Sequence, residues 1–163
     1  MELVNKLIEL LGREATLFEA FLGLLDRQTE MLVSNDIKGL NEVTERMRER
    51  LVESQLINRQ RIELVERIRV ANAIDGDLNV SRLLDIVDDQ QADQLQRLRS
   101  LILDLNDRIG VSRSRNELLL NRSRMYIARM MEMLAKVGKP EENYTANGPR
   151  QAADLHLALD RRA

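Results

Sequence analysis

The side chains here that could do chemistry are few, and their spacing argues against their doing it. There is no cysteine, so disulfides and thiolate chemistry are excluded. The one histidine, His156, stands near the C-terminus among residues that read as a tail. Asp75, Gly76 and Asp77 place two carboxylates in a loop, which suggests calcium. The full twelve-residue ligand loop closing on a glutamate is missing, so turn formation is the better explanation. Carboxylates abound, yet a four-helix carboxylate metal site wants Glu-x-x-His pairs, and the chain has none. A glycine-rich phosphate loop is also missing. No catalytic residue, metal ligand or cofactor is nominated, and the expected class is a binding protein rather than an enzyme.

Composition narrows the class further. Charged residues make up 32% of the chain, but the formal charge is only −2, so nothing drives it toward nucleic acid or an anionic membrane. Aromatic residues are only 2%, so Leu, Ile, Val and Met must build the core, which suits thin bundles of helices. The first residues lack the basic and apolar regions of a secretion signal. No apolar run approaches the roughly 20 residues of a membrane span. The chain reads as cytoplasmic and all-α, without membrane insertion.

Three helices are predicted, over about 2–33, 37–71 and 81–137. The first carries Val4, Leu7, Leu11, Phe18, Phe21, Leu25 and Leu32 at steps of three and four, widened by Leu10, Leu22 and Leu24. Ser34, Asn35 and Asp36 break the pattern, with Asp36 placed to cap the next helix. The second has its stripe at Leu40, Val43, Met47, Leu51, Ile57, Leu64, Val65 and Ile68. Its remaining positions between 45 and 69 nearly alternate Arg and Glu. That balance favours a solvated face laced with ion pairs over an RNA-binding face. Residues 72–80 form a loop, and Ser81 can cap the third helix.

The third stripe is near-heptad, running through Leu84, Val87, Gln91, Leu95, Leu98, Ile102, Leu105, Ile109, Ser112, Asn116 and Leu119. It resumes after Ser123 at Tyr126, Met130, Leu134 and Val137, where Gly138 and Pro140 stop the helix. Gly110 is a possible kink. At about 1.5 Å per residue the helices span roughly 48, 52 and 85 Å. Short connections make successive helices antiparallel, so the third reaches the turn at residues 34–36 near residue 117. The remainder of the helix has no intramolecular partner.

The expected architecture is therefore an antiparallel hairpin plus a long third helix, a coiled-coil-like bundle with a C-terminal overhang. Residues 1–137 form the helical domain, and 138–163 a mobile tail. With Leu119 at its centre, the overhang groups Tyr126, Met130, Met133, Leu134 and Val137 on one stripe, with Leu120 and Ile127 on its shoulder. Four of the six internal methionines lie between 125 and 133, and methionine-rich faces adapt to partner surfaces. Arg115, Arg122 and Arg129 recur every seven residues along one edge, where they can steer an acidic partner or simply border it in solvent.

Asn116 followed by Leu119 and Leu120, then a helix end and the tail motif Tyr144, Ala146 and Gly148, resembles the FlgN family of flagellar export chaperones. The leucine-rich first helix, the short polar break and the Arg/Glu-rich second helix agree, so the resemblance spans roughly residues 3–148. It implies a cytoplasmic chaperone that binds hook-associated (hook–filament junction) proteins of the FlgK and FlgL type. Such a chaperone prevents their premature assembly and brings them to the type III export gate. It further implies that Asn116, Leu119, Leu120, Tyr126, Ile127, Met130, Met133, Leu134 and Val137 hold the subunit. Tyr144, Ala146 and Gly148 would dock the export-gate protein FlhA.

On the residues alone two alternatives stay open for the stripe. Gly110 can let the helix fold back so that the stripe becomes core. Alternatively, the chain self-associates through it as a structural or adaptor coiled coil. A solution mass separates a monomer or weak dimer from a tight scaffold dimer.

Overall fold

The computed structural model describes residues 2–137. They form four helices: α1 (Glu2–Ser34), α2 (Ile37–Ala71), α3 (Val80–Leu84) and α4 (Asp89–Val137). No strand occurs among the described residues, and the protein is an all-α helical bundle. The expected helix stop at Gly138 and Pro140, and the tail from 138 to 163, lie outside the described residues. The chain divides into two units, residues 1–126 and 127–163, and α4 contributes to both.

In the first unit, local signals set the α1–α2 hairpin. Asn35 takes the left-handed conformation (φ 55°) that ends a helix, one that asparagine tolerates better than most side chains. Asp36 then caps α2 by accepting the Gly39 N–H at 2.9 Å, as its position predicts. α1 and α2 make the closest backbone approach in the fold. Their antiparallel register is fixed by Arg61, which donates to the buried Glu14 carboxylate at 3.2 Å. One apolar cluster joins Val4, Leu7, Leu10 and Leu17 to Ile57, Leu64 and Ile68, with Leu83 and Leu95 added from α3 and α4. A second joins Ala15 and Leu22 to Ile102 and Leu105. α1 is thus the central helix, buried against α2 on one side and α4 on the other. That double duty explains why its apolar arc is wide. Along α2 the Arg/Glu alternation resolves into exposed pairs one turn apart, Arg48–Glu45, Arg50–Glu53 and Arg69–Glu66.

The helix predicted over 81–137 is two helices. Asn79, not Ser81, caps α3 by accepting the Arg82 N–H at 2.9 Å, and α3 ends at Asp85. Asp88 then accepts the Gln91 N–H at 2.8 Å and starts a new helix. The apolar steps at Leu84, Val87 and Gln91 hide the break, because Leu84 and Val87 pack on the core from both sides of it. α4 is therefore 49 residues long, about 74 Å rather than 85 Å.

α4 is helical without interruption across Gly110. A Cβ at Gly110 would meet no atom within 4 Å. Gly110→Ala should accordingly raise stability by about 0.5–1 kcal/mol by restricting the unfolded chain. Urea unfolding checks this, and a loss of stability would reveal a bend that the alanine opposes.

Candidate protein-binding surface

α4 lies parallel to α1 and is held to it by amides near both ends of their contact. The buried Gln91 donates from Nε2 to Asn5 Oδ1 at 2.7 Å. Twenty-five residues on, Asn116 is 2% exposed. Its Nδ2 donates to the Leu25 carbonyl at 2.8 Å and to Gln28 Oε1 at 2.9 Å, while Thr29 donates to its Oδ1 at 2.6 Å. Arg115 adds an exposed pair to Asp26 at 3.0 Å. Between the amides Leu95, Ile102 and Leu105 are buried apolar contacts, and Ser112 is buried too. Burial thus follows the near-heptad seam. Polar residues within such a seam specify register, because any slip leaves them without partners.

Asn116 pairs with Leu25, Gln28 and Thr29 at offsets of 87 to 91, so α4 draws level with Ser34 between Asn121 and Met125 rather than at residue 117. Beyond Asn116 the apolar period continues but burial does not. Within the first unit Leu119 is half-buried, whereas Leu118, Leu120, Met125 and Tyr126 are exposed, Tyr126 by 66%. In the second unit residues 127–137 are helical, and every side chain from 127 to 136 is exposed. Met130 stands 46% and Leu134 63% in solvent. α4 runs as one helix through Gly110 and does not fold back there.

The predicted site residues fall into five groups. Asn116 is an α1 clamp whose amide is occupied. Leu119, Leu120 and Tyr126 lie on the first-unit part of α4, and Ile127, Met130, Met133 and Leu134 are exposed on the part in the second. Val137 is the last residue of the helix. Tyr144, Ala146 and Gly148 lie outside the described residues. The sequence reading missed Met131, which is 63% exposed and extends the shoulder of Leu120 and Ile127. Its spacing of four from Ile127 was the available signal. Of the three arginines along the edge, Arg115 is engaged by Asp26, while Arg122 and Arg129 have no ion pair among the described residues.

This arrangement can offer apolar surface. Among the described residues no group of three or more His, Cys, Asp or Glu comes together to hold a metal. None of the described helices is long and apolar enough to cross a membrane.

The family model for FlgN protein matches residues 1–152. The chain belongs to the FlgN family. That is a family of flagellar export chaperones, whose members bind flagellar proteins, and the match covers all four helices. No curated protein and no solved structure matches the chain.

Proposed function

We propose that this FlgN-family protein is a cytoplasmic chaperone that captures hook-associated proteins of the FlgK and FlgL type on the C-terminal half of α4. It keeps them from assembling early and delivers them to the type III export gate. The observation carrying this reading is the stripe of Leu119, Leu120, Tyr126, Ile127, Met130, Met133 and Leu134, which keeps its apolar period after the contacts with α1 have ended. An amphipathic helix of the subunit lies along that stripe, as in other helix-to-groove recognition. Burying six or seven such side chains contributes about 10–15 kcal/mol gross, from which ordering and association costs are subtracted. The remainder suits a micromolar to nanomolar complex, tight enough to hold and loose enough to release.

Docking to FlhA is assigned to Tyr144, Ala146 and Gly148, which the family resemblance singles out and which stand apart from the stripe in sequence. The test is co-purification of the full chain with each hook-associated protein, together with a solution mass. A one-to-one complex formed by a monomer or weak dimer is expected. A tight homodimer that takes up no subunit would instead make the stripe a self-association seam. Tyr144→Ala is expected to spare subunit capture and weaken export-gate docking, and a fall in capture would refute that division.

A further inference from the structure

A second apolar surface lies entirely within the first unit. α2 and α4 flank α1 without closing over it, which leaves a groove along the face of α1 between them. Two cavities occupy it, of about 340 Å³ and 410 Å³, and both are lined by Asn106. The floor steps along α1 through Leu7, Leu11, Phe18 and Phe21. Leu78, Asn79, Val80 and Leu83 fill the end of the groove beside Val65 and Leu95, so its open α2 wall runs from Arg61 to Met47 and its open α4 wall from Arg99 to Arg113, about 21 Å each at helical rise. Leu51 and Leu103, on opposite walls, are about half exposed. The open length matches a helix of about 14 residues packing beside α3 as a fourth element of the bundle.

Charge selects the occupant. No Asp or Glu lines either cavity, whereas Arg61 and Arg99 line one and Arg50 and Arg113 the other. Arg61 is held by the buried Glu14 and Arg50 by Glu53. Arg99 and Arg113 have no ion pair among the described residues, and with Asn106 they repeat every seven residues along the α4 wall. The chain's own residues from 138 onward carry four basic and four acidic side chains, so they bring no net negative charge to this rim. The exposed part of α4 is bordered by Arg122, Arg124 and Arg129, so a second copy meets it with like charge.

We infer that the groove over α1 receives an acid-flanked amphipathic helix of another protein, at a site separate from the α4 stripe and independent of the function proposed for it. The probe is a fluorescein-labelled peptide of about 14 residues with leucine at heptad-spaced positions and glutamate on both flanks. The control is its lysine-flanked twin, and both are titrated against the full chain by anisotropy. The glutamate peptide is expected to bind at least tenfold more tightly, with affinity falling as salt rises. Arg99→Glu with Arg113→Glu, both exposed and therefore safe for the fold, should abolish or reverse that preference. The titrations are made on the Met130→Asp, Leu134→Asp variant, which removes the apolar stripe of α4 as a second site for the probe, and in that background Leu51→Asp should weaken both peptides. Equal binding of the two peptides in that background, or binding of neither, overturns the inference. So would methyl groups of Leu51 and Leu103 that are shielded from a soluble paramagnetic probe in the free full chain.

Discussion

Replacing Met130 and Leu134 together by aspartate should weaken capture of a hook-associated protein at least a hundredfold while leaving thermal unfolding where it is. Both side chains are largely exposed, so the folded chain loses little packing when they go. In a complex that buries them, the variant loses about 1.5–3 kcal/mol of apolar burial per side chain, before any cost of desolvating the carboxylates, and two such losses exceed the roughly 2.7 kcal/mol that a hundredfold represents. Helix propensity changes by less than about 1 kcal/mol per site, which a 49-residue helix absorbs. Titration calorimetry with the purified subunit and circular dichroism of the variant measure the two halves. Unchanged capture removes the stripe from the interface. A lower unfolding temperature instead shows the two side chains to be core.

Asn116→Asp should destabilise the folded chain by about 3 kcal/mol at pH 7, and lose much of that penalty in acid. The substitution preserves shape, so no cavity forms, but it replaces an amide that donates to two oxygens by a carboxylate facing the Leu25 carbonyl and Gln28 Oε1. Burial and repulsion raise the folded carboxyl pKa above its unfolded value near 3.9. Between those two values the folded state holds the extra proton, so stability falls as pH rises through the window and is highest below it. Urea titrations from pH 4 to 8 test the slope. Stability independent of pH would mean that Arg115 and Thr29 rescue the charge. If Asn116 is a clamp and not a subunit contact, capture declines only with the folded fraction.

The hairpin was legible because its signals are local. Asp36 announces a cap by residue type, and Val4, Leu7, Ile57 and Ile68 fall on the predicted faces. The near-heptad seam of α4 was legible as well, down to its polar members Gln91, Ser112 and Asn116. Periodicity, however, reports which residues share a face and not what lies opposite. It therefore ran through the break at residues 85–88, where Asp88 starts a helix without interrupting the apolar steps. For the same reason Met47 and Leu51 read as ordinary core positions of α2, yet they line an open groove. The point where burial ends on α4 depends on the register between α1 and α4. That register rests on contacts 86 to 91 residues apart in sequence, beyond the reach of any local pattern.

The two amides that fasten α4 have a consequence for how much of it is on offer. A slide by one heptad would bring leucine back against leucine almost unchanged, but it would carry Gln91 past Asn5 and Asn116 past Leu25 in the same motion. They act as two notches on one rule. The length of helix presented to a partner is measured out by a pair of carboxamides more than by the grease between them, and shifting both notches by seven residues would lengthen or shorten the presented rod by about 10 Å.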